Sequence, residues 1–322
     1  MLDAKDAVLL YHLDINCRQS LGQLAKKARV AKTVAAYRIS RLEKQGIIRE
    51  YYTLIDVSAL GYSTYRVYLK FQNGVPEIEQ EIIHELVRTP FSSWVFEGEG
   101  TYQCGAVFLV KASKVKDFHD FWMGFLDKYR KFIHKQEFSI YMQLVQFPSS
   151  YLLPKVIPGD KERNKCMFGL SKTVVIDDAS QRILRAIAHS ARKPIGEIAK
   201  ECGLSPPTVR SKLRELVRQK VIQGFKTNID MPKLGMYHYK VDVQLQDYSQ
   251  YARLVKFIDE HPKIMYRDVT LKHADVEFEL YVRSVDELHE IMDEMRSHFK
   301  GAIATYVYYL FKKVYKINYF PI

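Results

Sequence analysis

An α+β chain built from two copies of one module, each a winged helix-turn-helix followed by a ferredoxin-like βαββαβ unit, is predicted by three observations. The first is self-similarity. Sliding the 322-residue sequence by 174 positions aligns residues 3–67 with 177–241 without a gap. Asp3/Asp177, Leu10/Leu184, Arg18/Arg192, Lys26/Lys200, Leu42/Leu216, Asp56/Asp230 and Gly61/Gly235 are among the identical pairs. A period this long marks a tandem of whole modules rather than a solenoid. The second observation is a run of three short helical patterns at the start of each copy. The third is a strand–helix–strand–strand–helix–strand alternation in the rest of it.

In copy one, Val8, Leu9 and Leu13 have helical spacing, and Leu21, Leu24 and Ala25 open a second helix ending near Ala28. Ala35, Ile39 and Leu42 mark one face of a third helix, which Gln45-Gly46 stops. Ile47 to Ile55 is β-rich and predicts a short hairpin, the wing. Copy two has the clearer signals, with Gly203 in the turn, Ser205 as N-cap and Pro206 at the first helical position. Copy one has Ala31 at that cap, so its third helix starts less firmly, by about 1 kcal/mol.

Strands are expected over 64–71, 94–97, 103–110 and 137–147, with helices over 77–88 and 114–132. Copy two repeats this with strands over 239–245, 264–270, 276–282 and 305–315, and helices over 249–260 and 285–299. The order βαββαβ predicts an antiparallel sheet with both helices on one face. Phe118, Phe121, Trp122, Phe125, Tyr129 and Phe132 form a helical stripe that reads as core. The expected domains are 1–61 and 176–235 (winged helices), 62–150 and 236–322 (ferredoxin-like), and a connector at 151–175.

The net charge of +12 is segregated. The winged-helix blocks carry +4 and +6 and the connector +3, while the ferredoxin-like blocks carry 0 and −1. Positive charge concentrated on compact segments is the footprint of a polyanion binder. No apolar run reaches the roughly 20 residues of a membrane span. The opening Met1-Leu2-Asp3-Ala4-Lys5-Asp6 lacks the layout of a secretory signal, so a cytoplasmic setting is expected. Cys17, Cys104, Cys166 and Cys202 lie far apart, which argues against disulfides and zinc. None of the ten His sits in a catalytic or ligand layout, so no metal, cofactor or catalytic residue is expected.

Leu2-Asp3, Asp6, Leu9-Leu10, Leu13, Arg18, Ser20, Leu24-Ala25, Arg38-Ile39, Leu42-Glu43 and Gly46-Ile47-Ile48 together resemble the Lrp/AsnC family of prokaryotic transcription regulators. Copy two carries the pattern through Ile176-Asp177, Ile183-Leu184, Arg192, Gly203-Leu204-Ser205 and Thr208-Val209. The resemblance implies binding to double-stranded DNA and an effector and dimerisation role for the ferredoxin-like unit. Family members are usually single modules, so this chain is expected to act as an intramolecular pseudo-dimer, with a further homodimer as an option. The family's G-x-x-D effector loop is half kept in each copy, as Gly100 with Gln103 and as Lys272 with Asp275. An amino-acid effector at that loop is therefore a weak implication.

An inserted helix reads base edges with exposed polar and basic residues, Arg on guanine being the commonest specific contact. Off the apolar face of the third helix these are Lys32, Thr33, Ala36, Tyr37, Ser40 and Arg41, and in copy two Pro207, Arg210, Ser211 and Arg214. Because the two sets differ, an asymmetric DNA site is expected. Arg18, Lys26, Arg192 and Lys200 are candidate phosphate contacts; a structural ion pair is the alternative for Arg18 and Arg192. Two other functions are compatible with the pattern. Siroheme decarboxylases resemble fused copies of this architecture, but their His/Arg strand motif is matched only loosely, by His238-Tyr239-Lys240. The third reading is an adaptor docking on the transcription machinery.

Overall fold

The computed structural model describes every residue except Met1, Pro154, Val156, Pro158, Lys272, Pro321 and Ile322. Copy one contains α1 (Ala4–Ile15), α2 (Leu21–Ala28), α3 (Lys32–Lys44) and β1 (Ile48–Ile55). It continues with β2 (Tyr62–Phe71), α4 (Pro76–Arg88), β3 (Ser92–Gly100), β4 (Cys104–Lys111), α5 (Val115–Tyr129) and β5 (Ile133–Gln146). The connector forms α6 (Asp160–Asn164) and β6 (Cys166–Phe168). Copy two follows with α7 (Asp178–Ala188), α8 (Ile195–Cys202), α9 (Pro206–Arg218) and β7 (Ile222–Ile229). It ends with β8 (Tyr237–Leu245), α10 (Tyr251–Glu260), β9 (Ile264–Leu271), β10 (Val276–Val282), α11 (Val285–His298) and β11 (Ile303–Ile317).

The local signals act as their chemistry dictates. Ser20 and Gln23 form a reciprocal capping box at α2, and Ser205 accepts from Thr208 N at α9. Ala31 gives α3 no side-chain cap. The expected hairpin within each copy is absent among the described residues. β1 runs through a short 3-10 turn straight into β2, which leaves it no return strand, and it pairs antiparallel with β7 instead. Tyr52 faces Lys226, and these two residues are equivalent under the 174-residue shift. Tyr51 faces Thr227 and Thr53 faces Phe225 on either side. An internal pseudo-two-fold axis therefore passes between Tyr52 and Lys226.

That axis also organises the sheets. Strand order is β5-β2-β4-β3 in copy one and β11-β8-β10-β9 in copy two, the ferredoxin-like order in both. β3 pairs with β11, and β9 with β5, so the two sheets close into one antiparallel barrel with β6 attached outside on β5. Closure explains the length of β5. Its first half pairs with β2 (Phe138 on Val67), and its second half crosses to β9 (Gln143 on Val269). The aromatic stripe is core as expected: Phe118, Trp122, Phe125 and Tyr129 pack on Val67, Leu69 and Val110.

The winged-helix cores exchange residues across the axis. Ile229, Met231 and Met236 of copy two pack with Leu9, Leu13, Leu24 and Ile39. Ile55, Val57 and Ala59 of copy one pack with Ile183, Leu184 and Leu213. Burying a large aliphatic side chain contributes roughly 1.5–3 kcal/mol, so neither head has a complete core from its own copy. The connector is folded rather than loose. Buried Lys161 donates to the carbonyls of Ile258 (3.2 Å) and His261 (2.7 Å), with its ammonium over the Phe147 ring.

The barrel lumen holds a charged network drawn from both copies. Arg66 Nη2 lies 2.7 Å from Glu277 and its Nη1 3.3 Å from Asp268. Lys240, the repeat equivalent of Arg66, lies 2.5 Å from Asp268 and 3.0 Å from Glu277. All four side chains are at most 1% exposed. The network is not symmetric. Tyr68, Gly105 and Phe96 occupy adjacent ladder positions in copy one, where copy two has Asp242, Glu277 and Asp268. A Cβ on Gly105 would meet the Phe96 and Tyr68 rings within 2.8 Å, so glycine is what admits those aromatics.

Two predictions follow from this asymmetry. From sequence, an isolated first half is expected to self-associate through its sheet. The lumen revises that, because two first halves would bury two Arg66 guanidiniums without Asp268 or Glu277, and an unpaired buried charge costs several kcal/mol. Fragments 1–150 and 151–322 should therefore assemble with each other in preference to themselves. Light scattering checks this: a 1:1 complex on mixing is expected, and a stable 1–150 homodimer would contradict it.

The second prediction concerns pH. His273 bridges Asp242 (2.8 Å) and Glu137 (3.2 Å), with Glu277 nearby and the Tyr68 and Tyr102 rings against it. Burial opposes its charge, but the carboxylates prevail and raise its pKa to about 9. The folded value exceeds the unfolded one, so this stabilisation is complete below about pH 6.5 and is lost as pH rises through 9. Urea midpoints of the intact chain should fall between pH 7 and 10, and His273→Gln should flatten that decline.

Candidate nucleic-acid interface

Each head presents its third helix with one apolar face inward. Ala35, Ile39 and Leu42 anchor α3, and Val209, Leu213 and Leu216 anchor α9. On α3, Lys32, Thr33 and Tyr37 are exposed, Tyr37 at 67%, while Ala36 and Ser40 are half-buried. On α9, Pro207, Arg210, Ser211 and Arg214 are all exposed. Lys26 on α2 and Lys200 on α8 are exposed as well.

Three of the arginines singled out from sequence are committed elsewhere. Arg41 is ion-paired with Asp6, a carboxylate 1% exposed on α1. Arg38 joins it, 2.9 Å from Asp6 and 2.5 Å from the α1 N-cap Asp3. The expectation that Arg41 reads a base is thus corrected: its guanidinium is folded back onto the first helix. Arg18 donates to the carbonyls of Ala191 (2.6 Å) and Lys193 (3.3 Å), and Arg192 donates to that of Cys17 (2.6 Å). Each also lies over an aromatic ring of the central strand pair, Arg18 over Phe225 and Arg192 over Tyr51. Neither is placed as a phosphate contact; both tie one head to the other across the axis.

Further bonds weld the heads. Cys17 N donates to Phe225 O and Ala191 N to Tyr51 O, both at 2.8 Å and equivalent under the repeat. Lys233 of copy two donates to the carbonyls of Gln45 and Gly46, which end α3. These donors satisfy carbonyls that a helix terminus leaves open. The weld fixes the spacing and mutual orientation of α3 and α9.

At the suspected effector loop, Gln103 accepts from Phe71 N (3.1 Å) and Asp275 from Leu245 N (2.7 Å). Phe71 and Leu245 are equivalent residues, so both acceptors pin the same strand end. Gly100 has φ +111 and packs against the β11 backbone. Lys272 lies outside the described residues.

His238 of the loosely matched decarboxylase segment lies 2.9 Å from Glu279 and packs edge-on against Phe311, while Lys240 is fully buried in the lumen network. Asp242, His273 and Glu277 are close enough to converge on a metal ion. Without a metal the carboxylates of Asp242 and Glu137 hold the His273 ring protonated, so an ion there would have to displace that proton. Sequence reasoning missed this cluster, because charges alternating along a strand read as its solvent face.

Two helix-turn-helix heads that share the β1–β7 ladder in place of separate wings, joined to one closed sheet, define a helix-turn-helix protein of the DNA-binding class. A winged helix-turn-helix DNA-binding family profile matches residues 176–223, the second head. The proline dehydrogenase transcriptional activator of Rhodobacter capsulatus is 30% identical over 152 residues, covering 45% of this chain and 97% of that protein. Regulatory protein AsnC of Haemophilus influenzae is 27% identical over 121 residues, 36% of this chain and 79% of that one. The chain belongs to the Lrp/AsnC family, in a tandem form. Over its whole length the fold resembles the crystal structure of the siroheme decarboxylase NirDL, with a TM-score of 0.64 and 13% identity, covering 98% of this chain and 93% of that one.

The Arg41–Asp6 pair generates a prediction. Arg41→Ala should destabilise the chain by about 1–2 kcal/mol, the worth of a charge-assisted bond to a buried carboxylate with a second partner remaining. Urea unfolding measures it, and an unchanged midpoint would show that the pair is idle.

Proposed function

We propose that this chain is a sequence-specific DNA-binding transcription regulator whose two copies act as a covalent pseudo-dimer. The observation that carries the reading is the weld between the two heads, which holds two different third helices in one fixed relation. Family regulators read DNA with paired heads, and this geometry supplies such a pair within one chain. The basic excess of both winged-helix blocks supports the same reading. In it, Lys32, Thr33, Ala36, Tyr37 and Ser40 of α3 and Pro207, Arg210, Ser211 and Arg214 of α9 face base edges. Exposed Lys26 and Lys200 contact phosphates. Effector control at the Gly100 and Asp275 loops gains no support, since Gln103 and Asp275 are occupied by strand ends.

Duplex affinity should fall steeply with salt, since each neutralised phosphate adds about −0.9 to the slope of log K against log salt. With a handful of contacts per head, a slope of roughly −5 to −9 is expected in fluorescence anisotropy titrations of the full chain. Absence of duplex binding at low salt would overturn the regulator reading. Binding of a carboxylate-rich iron tetrapyrrole with CO₂ release would favour an enzyme of the same fold.

A further inference from the structure

The 174-residue repeat gives each residue of α3 a counterpart on α9. Thr33, Ala36, Tyr37 and Ser40 of α3 correspond to Pro207, Arg210, Ser211 and Arg214 of α9. The two helices therefore place their arginines on different sides. In head one the arginines are Arg38 and Arg41, both turned toward α1 and held by Asp3 and Asp6. In head two Asp6 is replaced by Ser180 and Arg41 by Glu215, so that lock is gone. Glu215 instead pairs with Arg218 on its own helix, and Lys212 pairs with Asp177.

Arg210 and Arg214 are exposed, and no partner engages either guanidinium among the described residues. They are one helical turn apart, about 6 Å along the axis, so both lie on one face and can reach separate base pairs. A guanidinium fork matches O6 and N7 of guanine in the major groove. The four corresponding positions of head one carry no cation. They offer the methyl groups of Thr33 and Ala36, which suit thymine methyls, and the hydroxyls of Tyr37 and Ser40. Exposed lysines of head one sit at the two ends of the helix, Lys32 at the start and Lys44 in the last turn, and on α2 at Lys26, where they suit phosphates.

We propose that the two heads divide the reading: Arg210 and Arg214 of head two recognise guanines in one half-site, while head one seats on an A·T half-site without arginine readout. This rests on the reading of the chain as a DNA-binding regulator. Because the weld fixes the two heads, the guanines fall at a constant distance and on a constant side of the A·T half.

Selection of duplexes from a randomised library by the full chain, followed by anisotropy on single base-pair variants of the selected site, tests the division. Guanines confined to one half-site are expected, each preferred over other bases by roughly 5- to 150-fold. Arg210→Lys and Arg214→Lys keep the charge and remove the planar fork, so each should weaken the preference at its own guanine and leave the other's unchanged. Urea unfolding midpoints at the wild-type value show that both variants fold, so that a weakened preference reports on readout. Guanine preference in both halves, or preferences unmoved by both lysine variants, would each overturn the division and leave the regulator reading standing, whereas duplex binding without base preference would overturn the division and the sequence-specific reading with it. No duplex binding at low salt would overturn both.

Discussion

A ferredoxin-like sheet ends in two strands with one open edge each, and a row of unpaired N–H and C=O groups is an invitation to wrong pairing. Here the open edge of β3 is covered by the far half of β11, and that of β9 by the far half of β5. Two terminal strands that each serve both copies are the constraint on which the remaining architecture depends. Closing the ring places the copies on one axis, and the axis brings β1 against β7. That ladder in turn carries hydrophobic side chains of each copy into the other's head. The third helices of the two heads, α3 and α9, are held in one relation because they sit at the end of this chain of closures.

Closure also changes what a polar strand face means. In an isolated unit the face away from the helices would meet water. In the barrel it becomes a lumen, and Arg66, Lys240, Asp268 and Glu277 must neutralise each other there. A buried ion network adds little net stability over apolar packing, because desolvation offsets most of the attraction. Its leverage is on pairing. The acids come from copy two, and one of the two strong cations comes from copy one. Copy one meets this acidic surface with Arg66 and the aromatic group Tyr68, Phe96 and Tyr102, so like-with-like pairing of halves is penalised while the native pairing is satisfied.

Much of this was legible in the sequence, and the parts that were not share one cause. The 174-residue repeat and the helix and strand periods are local or register properties, and they yielded the element order, the caps and the aromatic core. What failed were assignments that depend on where the other copy sits. Ile48–Ile55 looked like half of a local hairpin because its partner is 174 residues away. Arg18 and Arg192 read equally as phosphate contacts or as structural partners, since nothing local shows that each faces the opposite copy's carbonyls. Gln103 and Asp275 read as remnants of a half-kept effector loop, and spacing alone does not show that the ends of β2 and β8 use them. Arg41 differs: its partner Asp6 is in the same head, and α1 crossing behind α3 is a tertiary fact that no spacing announces.

Joining the copies in one chain has a consequence that a homodimer cannot reach. In a homodimer every substitution appears twice, so an acid introduced into the lumen would face its own twin. A residue changed on one reading helix would change on both. In this chain the lumen carries Asp242, Glu277 and Asp268 on one side and Tyr68, Gly105 and Phe96 at the matching positions on the other. The heads show the same freedom, with Asp6 opposite Ser180 and Ala36 opposite Arg210. Meanwhile the residues that hold the copies together, Arg18 with Arg192 and Cys17 with Ala191, make matching contacts on both sides. Symmetry is kept where the axis requires it, at the weld and the ladder, and is broken where charges pair and where bases would be read.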